Sequence, residues 1–130
     1  RVDFASLNEP EVRLASYNRH APIETVAKKV CDQIGARFFA VTRGTRGVVM
    51  LDRTRDVLHT VPALSTKVID RIGAGDAFLS LAGLCLGTGL PSEVAAFIGS
   101  AAAALDVQIV CNREPVSSIN LNKYVTTLLK

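Results

Sequence analysis

Residues 68–84 read VIDRIGAGDAFLSLAGL and place two glycines and an aspartate at the start of an almost wholly apolar run. Glycines ahead of a helix let the backbone bend sharply, and the unpaired amides at a helix N-terminus attract anions. A carboxylate just inside that helix, Asp76, is able to accept a proton from a hydroxyl that attacks a bound phosphate. By itself, however, Gly-x-Gly-Asp is more simply explained by a tight turn and an acidic residue that complements the helix dipole.

Two widespread nucleotide-binding motifs do not fit this stretch. A dinucleotide fingerprint requires a third glycine, whereas the sequence continues with Ala77 and Phe78, and only the short TKVID at 66–70 is available as the preceding strand. A P-loop requires Gly-Lys followed by Ser or Thr, which is absent from the sequence. If residues 68–84 bind a phosphate, their motif is neither a dinucleotide fingerprint nor a P-loop.

The composition is that of one ordinary globular domain, with 130 residues, 48% of them hydrophobic and 21% charged. The net charge is +3, and the basic residues are scattered apart from a short cluster of Arg43, Arg46, Arg53 and Arg55. This pattern favours a small ligand that carries phosphate, because a nucleic-acid groove usually has a denser basic patch with stacking aromatics. Arg43 and Arg46 are able to reach phosphate oxygens, although exposed arginines more often only solvate a loop. RNA binding through TRGTRG at 42–47 is an alternative.

The cysteines and the hydropathy pattern indicate a reducing compartment without membrane insertion. Cys31, Cys85 and Cys111 are odd in number, widely spaced and without a C-x-x-C pattern, so we expect free thiols in a cytoplasmic protein. Charged residues, a proline and glycines interrupt the apolar stretches after residue 76 before about 20 clean residues accumulate, which argues against a membrane span. No leader opens the chain, and since it begins at Arg1 we expect a later part of a longer polypeptide.

Hydrophobic periodicity predicts an α/β fold in a single domain, residues 1–130, with no internal repeat or linker. Residues 22–34 form one apolar stripe at helical spacing, from Pro22 in the first turn to Gly35 at the C-terminal cap. RFFAVTRGTRGVVMLD at 37–52 is typical of a strand, a glycine turn and a second strand. The other predicted elements are strands at 2–7 and 57–63 and helices at 74–87, 91–106 and 118–129.

Three motifs together resemble the PfkB, or ribokinase-like, family of carbohydrate kinases. DRIGAGDAFLSLAGL at 70–84 resembles the second signature of that family, of the form D-x-x-G-A-G-D-x-F. NEPE at 8–11 resembles its N-x-x-E motif, and AVTRGTRGVVML at 40–51 resembles its strand-turn-strand element T-x-G-x-x-G. The motifs occur in the order that the family has, and the resemblance covers residues 3 to about 110.

The resemblance implies a ribokinase-like α/β fold, with a partial, mainly parallel sheet and packed helices, present as the C-terminal nucleotide-binding portion of a kinase. It implies ATP-dependent phosphorylation of a hydroxyl on a sugar or sugar phosphate, with Mg²⁺ and, in some members, a monovalent cation such as K⁺. The expected partners are the sugar and ATP, with a homodimer allowed and neither nucleic acid nor membrane bound. We expect the fragment alone to be inactive. The alternative is a non-catalytic nucleotide- or protein-binding module derived from such a kinase.

The second signature implies the catalytic residues. Asp76 matches the base that deprotonates the sugar hydroxyl in the family. The amides of Gly73, Ala74, Gly75 and Asp76 match the anion hole that stabilises the charge developing on the transferred phosphoryl group. Phosphoryl transfer depends mostly on positioning and electrostatics, so preorganised amide donors suit this chemistry.

The N-x-x-E motif implies a metal-binding role with a structural alternative. Asn8 and Glu11 match the pair that organises Mg²⁺ and phosphates, usually through water, and Mg²⁺ keeps several waters when bound. The same two residues also fit a capping box at a helix N-terminus. Both roles are compatible with each other.

Further nucleotide contacts follow from the other matching positions. Thr42, Gly44 and Gly47 match the nucleotide-contacting turn, although a plain hairpin needs glycines there as well. Asp70 matches a residue near the phosphate and monovalent-cation region. Ala102 lies in the alanine run 101–104, where family members line the adenine pocket, although such a run also serves close helix packing.

Two features depart from the family pattern. The long N-terminal half of these kinases, which supplies most sugar contacts and the first, Gly-Gly signature, has no counterpart in these residues. The tail VQIVCNREPVSSINLNKYVTTLLK at 107–130 lacks the usual glycine-rich loop before the last helix. The tail is most similar to the heptose-phosphate kinase and sugar-kinase/nucleotidyltransferase branch, and the identity of the sugar is not predicted.

Overall fold

A computed structural model of the chain describes residues 2–64, 74–108 and 118–129, in which helices cover both faces of a four-stranded sheet. The strands are β1 (Val2–Asn8), β2 (Ala36–Thr42), β3 (Val48–Asp52) and β4 (Val57–Val61). The helices are α1 (Glu9–Ser16), α2 (Ile23–Ile34), α3 (Ala74–Gly87), α4 (Ser92–Gln108) and α5 (Ser118–Leu129). Because α1 and α2 pack on one face and α3 and α4 on the other, the predicted α/β architecture is confirmed.

The direction of the strands corrects one expectation. The order in the sheet is β1-β2-β3-β4, and β1 and β2 are parallel. The pairs β2–β3 and β3–β4 are antiparallel, so the described sheet is mixed and not mainly parallel. The reason is the length of the connections: residues 43–47 and 53–56 form short links that join only antiparallel neighbours, whereas two helices connect β1 to β2.

The second strand contributes to both hydrophobic cores, because its side chains alternate between the two faces of the sheet. Phe39 and Val41 pack in the core that α1 and α2 cover. Ala40 packs on the opposite face with Phe78 and Ala82 of α3. Burial on both faces accounts for the nearly continuous apolar run of this strand.

The third and fourth helices approach each other closely. Phe78 of α3 is fully buried, and a Cβ atom on Gly99 of α4 would come within 2.9 Å of its ring. The glycine is therefore needed for the close packing of the two helices. α3 has the bounds that the sequence predicts, and α4 begins one residue after the predicted start.

The amphipathic helix α2 buries the predicted apolar stripe against the sheet. It ends at Gly35, whose φ of +74° is readily adopted only by glycine and whose amide donates a hydrogen bond to the Cys31 carbonyl. Pro22 precedes the helix as its N-cap, so α2 begins at Ile23, one residue after the predicted start.

The cysteines that the structure describes, Cys31 and Cys85, are buried free thiols, as predicted, and Cys111 lies outside the described residues. Burial raises the pKa of both described thiols, which is typical of unreactive core cysteines. In the described portion of the chain, every helix is too short or too polar to cross a bilayer.

Candidate functional site

A cleft of about 880 Å³ opens at the end of the sheet where the two parallel strands terminate. β1 and β2 end at Asn8 and Thr42, which are direct partners in the parallel register. The start of α3, with Gly75 and Asp76, and the second half of α4 form the other walls. Ligands of α/β proteins typically bind at the carboxyl ends of parallel strands, where loops and helix N-termini converge. The cleft brings together residues of all three motifs.

Asn8 and Glu11 form a complete capping box at the start of α1. The Glu11 amide donates to Asn8 Oδ1 at 2.9 Å, and the Asn8 amide donates to Glu11 Oε2 at 3.0 Å. The structural alternative for this pair is thus present, yet both side chains are exposed and line the cleft. Asn8 Nδ2 and Glu11 Oε1 form no hydrogen bond with any described residue, so capping leaves one polar atom of each side chain for a ligand.

The donor set at this end of the cleft suits a hydrated metal ion. Within residues 2–64, 74–108 and 118–129, no three His, Cys, Asp or Glu side chains are grouped to hold a metal. Mg²⁺ keeps several waters and is usually bound by one or two carboxylates together with substrate phosphates. The carboxylates of Glu11 and Asp76, which line the same cleft, fit that mode of binding.

The turn between β2 and β3 requires glycine at two positions. Gly44 has a φ of +59° and Gly47 a φ of +89°, values that other residues rarely adopt. A Cβ atom on Gly47 would also lie 2.0 Å from the carbonyl oxygen of Val61 on β4. A structural role is therefore sufficient to explain Gly47. Thr42, Gly44 and Gly47 all line the cleft.

Asp76 lies in the first turn of α3, where its side chain is exposed and lines the cleft. A Cβ atom on the preceding Gly75 would meet no atom of the described residues within 4 Å. The first amides of a helix have no intrahelical partner, and α3 begins at Ala74. Gly73 and Asp70, which complete the predicted set, lie outside the described residues.

The fourth helix contributes other residues to the cleft than the one predicted. Ala102 is fully buried in a small core and is not among the residues that line the cleft. Ser100, Ala103 and Ala104 line it instead, because residues three and four positions apart share one face of a helix. Ser100 is 7% exposed, and its hydroxyl has no hydrogen-bond partner among the described residues. The alanine run does not show which face of α4 is turned toward the cleft, so the sequence could not identify Ser100 as a cleft residue.

Glu9 is a cleft residue that the motifs do not single out. Its carboxylate accepts hydrogen bonds from Arg13 Nε at 2.9 Å and from Arg43 Nε at 3.0 Å. Burial by itself raises the pKa of Glu9, but the bonds from Arg43 and Arg13 outweigh it and lower the pKa below its ordinary value. The side chain of Arg43 is only 18% exposed, whereas that of Arg46 is 67% exposed. Arg43 is therefore held in the cleft and is not a freely solvated loop arginine.

The chain matches known proteins over most of its length. The family model described as pfkB family carbohydrate kinase matches residues 1–116. The bifunctional protein HldE of Koribacter versatilis is 30% identical over 126 residues, which cover 97% of this chain and 23% of that protein. This relative is consistent with the bifunctional branch that the tail of the sequence resembles.

Two solved structures share the fold. Phosphofructokinase-2 from Escherichia coli in complex with potassium has a TM-score of 0.85 at 18% identity, over 100% of this chain and 42% of that chain. Arabidopsis thaliana ribokinase complexed with ribose and ATP has a TM-score of 0.78 at 23% identity, over 95% of this chain and 40% of that chain. These matches confirm the ribokinase-like fold. The chain spans less than half the length of each of these proteins.

Proposed function

The chain belongs to the pfkB family of carbohydrate kinases, and on that premise we propose that it forms the nucleotide-binding portion of an ATP-dependent kinase. The acceptor is a hydroxyl group of a sugar or sugar phosphate. The observation that carries the proposal is that Asp76, the 8–11 turn and the 42–47 turn line one cleft of about 880 Å³. These segments are distant in the sequence, and each supplies a different part of a phosphoryl-transfer site.

The start of α3 serves the transferred phosphoryl group in the proposed reaction. The amides of Gly73, Ala74, Gly75 and Asp76 donate hydrogen bonds to the oxygens on which negative charge develops. Donors held by a helix need no reorganisation during the reaction, which makes their stabilisation of the transition state effective. The Asp76 carboxylate accepts the proton of the attacking hydroxyl. Its exposed position on the cleft supports this role, because a base has to reach the substrate.

The nucleotide occupies the part of the cleft between the 42–47 turn and α4. Thr42, Gly44 and Gly47 let its ribose and phosphates approach the backbone. Ser100, whose hydroxyl has no hydrogen-bond partner among the described residues, replaces Ala102 as the contact that α4 offers. The ribokinase complexed with ribose and ATP supports the choice of ATP as the phosphoryl donor.

Mg²⁺ is proposed to be held through water by Asn8 and Glu11, because metal-bound waters donate hydrogen bonds that Glu11 Oε1 and the second lone pair of Asn8 Oδ1 are able to accept. When bound, the ion neutralises charge on the nucleotide phosphates. A monovalent cation such as K⁺, near Asp70, is supported by the potassium complex of the related phosphofructokinase-2.

The sugar is proposed to be bound mainly by polypeptide beyond these residues, because the chain covers only 40% and 42% of the two solved kinases. The chain alone is therefore expected to be inactive. The kinase is further proposed to form a homodimer and to act in the cytoplasm, where ATP is available.

The decisive test is Asp76→Asn in a complete kinase that contains this chain. We expect kcat to fall by about 10²- to 10⁴-fold, because the proton acceptor is lost while the helix amides remain. The affinity for Mg·ATP, measured by isothermal titration calorimetry, should change little, since Asp76 acts on the acceptor and not on the nucleotide. The matched control is Asp3→Asn, which removes an exposed carboxylate at the other end of β1.

Near-normal turnover of Asp76→Asn, measured over a panel of sugars and sugar phosphates, contradicts the proposed mechanism. If the unaltered protein binds Mg·ATP but phosphorylates no member of the panel, the non-catalytic nucleotide-binding module is favoured instead.

A further inference from the structure

The cleft contains an ion-pair group that the proposed reaction does not use. Glu9 lies between Asn8 and Pro10, and its side chain is 15% exposed. Each of its two carboxylate oxygens accepts one hydrogen bond, Oε2 from Arg13 and Oε1 from Arg43. The carboxylate therefore joins the 8–11 turn to the 42–47 turn across the cleft.

The two arginines differ in what they have left to donate. Arg13 uses a second group, since its Nη1 donates to the Ala21 carbonyl at 2.9 Å. Arg43 uses only its Nε, although a guanidinium carries five N–H donors. The two terminal amino groups of Arg43 form no hydrogen bond with any described residue. Arg43 therefore keeps more donors than Arg13 does, and both arginines line the cleft.

The charge of this group also favours an anion. One carboxylate, Glu9, has the guanidinium groups of Arg13, Arg43 and Arg46 within 3.8 Å. These three guanidinium groups outnumber the two carboxylates of the 8–11 turn, Glu9 and Glu11, which line the same part of the cleft. A guanidinium matches phosphate oxygens in a planar, two-pronged geometry, which makes arginine the usual partner of such groups.

We propose that Arg43 pairs with the phosphate chain of the bound nucleotide, and that Glu9 is a positioning residue that holds the Arg43 guanidinium in place. This inference rests on the proposed function, because it requires a nucleotide in the cleft. An arginine that is already held loses less side-chain freedom when the ligand binds, so the carboxylate strengthens phosphate binding through Arg43.

An alternative role for Glu9, neutralisation of positive charge in the cleft, predicts the opposite change in anion affinity when Glu9 is replaced. If the carboxylate only neutralises positive charge, Glu9→Gln removes a negative charge from the cleft and tightens the binding of an anion. If it positions Arg43, the same variant loosens the guanidinium and weakens that binding. The two roles are therefore separated by one measurement.

The experiment compares ADP with adenosine, each titrated into the complete chain at constant Mg²⁺ in a calorimeter. The ratio of the two affinities reports the contribution of the phosphates. Arg43→Gln is expected to reduce this ratio about tenfold or more, as for the loss of a charged hydrogen bond. Glu9→Gln is expected to reduce the ADP-to-adenosine affinity ratio about threefold. Arg43→Lys keeps the positive charge but loses the planar guanidinium, so its reduction of the ratio should be smaller than that of Arg43→Gln and larger than that of Glu9→Gln.

The controls show that the effect belongs to the pair. Arg37→Gln removes an arginine at the far end of β2, outside the cleft, and should leave the ratio unchanged. The double variant that combines Glu9→Gln with Arg43→Gln should bind ADP no more weakly than Arg43→Gln alone, because Glu9 acts through Arg43. Unchanged adenosine affinity shows that each variant is folded.

The outcomes distinguish this inference from the proposed function. If the unaltered chain binds neither ADP nor adenosine, both fail. If it binds both with equal affinity, or if Arg43→Gln and Arg43→Lys keep the full ratio, the nucleotide site stands and the phosphate role of Arg43 is wrong. If Glu9→Gln tightens ADP, the positioning role is wrong.

Discussion

The two ends of the sheet each carry an arginine–carboxylate network, and the networks differ in how completely their polar groups are used. At the cleft, Glu9 holds Arg43, which keeps donors without a partner among the described residues. At the opposite end, Asp52 is 2% exposed and both of its oxygens are engaged. Among the described residues, Arg55 at that end donates three side-chain hydrogen bonds, to Asp52, Ser92 and Glu93, whereas Arg43 donates one, to Glu9.

The network at the far end joins Asp52, Arg55 and Ser92. The Ser92 hydroxyl donates to Asp52 Oδ2 at 2.8 Å and accepts from Arg55 at 2.9 Å. Arg55 Nε donates to the same carboxylate oxygen at 3.0 Å, so the β3–β4 turn is joined to the start of α4. Burial by itself raises the pKa of Asp52, but hydrogen bonds from Thr54, Ser92 and Arg55 outweigh it and lower the pKa to about 2.

The largest effect on stability is expected at Gly47, in the turn at the end of the sheet that carries the cleft. Gly47→Ala should destabilise the fold by about 3 kcal/mol, because the new Cβ meets the Val61 carbonyl and the φ is positive. The matched control at the other end of β2 is Gly35→Ala, whose φ is also positive but whose surroundings are open. It should cost only about 1 kcal/mol in urea unfolding. Equal costs would contradict the close approach at Gly47.

A smaller loss, of about 2 kcal/mol, is expected for Asp52→Ala at neutral pH. The pKa of Asp52 is depressed on folding, so its contribution is present above the unfolded value near 3.8 and is lost as the pH falls toward 2. Unfolding by urea between pH 5 and pH 2 should therefore show a steeper decline for the unaltered chain than for the variant. ADP affinity at neutral pH should be unchanged, since the network lies away from the cleft. Weaker ADP binding in the folded variant would break the proposed separation of the two ends.

The smallest effect separates the two roles of Asn8. Asn8→Ala should cost about 1 kcal/mol of stability, because the amide of Glu11 loses its acceptor. Asn8→Ser restores a cap and should unfold nearly like the unaltered chain, yet bind Mg·ATP as weakly as the alanine variant. Full Mg·ATP affinity in the serine variant would leave Asn8 as a cap alone.

Much of the fold was predictable from local sequence. The bounds of α3, the glycine end of α2 and the strand-turn-strand at 37–52 depend on residues only a few positions apart. The family resemblance implied a mainly parallel sheet, whereas the described strands form one parallel pair and two antiparallel pairs. The short connection at 43–47 already favours an antiparallel pair.

The sequence motifs indicated several residues that the structure brings to one cleft, although their roles stay predictions. Asn8, Thr42 and Asp76 line the cleft at the positions that the motifs indicate. Ser100 was not predictable, because an alanine-rich helix does not show which of its faces turns toward the cleft. The bond between Glu9 and Arg43 was hidden as well, since it joins two turns that are separated in the chain by the rest of α1, by α2 and by β2.

By itself, the sequence determined the local features of this protein: where its helices begin and end, where its backbone turns, and which carboxylate stands at the start of an apolar helix. Each depends on residues that are neighbours in the chain. The tertiary structure decided which of these features face one another across a cleft, and which carboxylate holds Arg43. Those outcomes depend on strand register and on how helices rotate as they pack, and both are settled by burial of apolar surface over the whole domain.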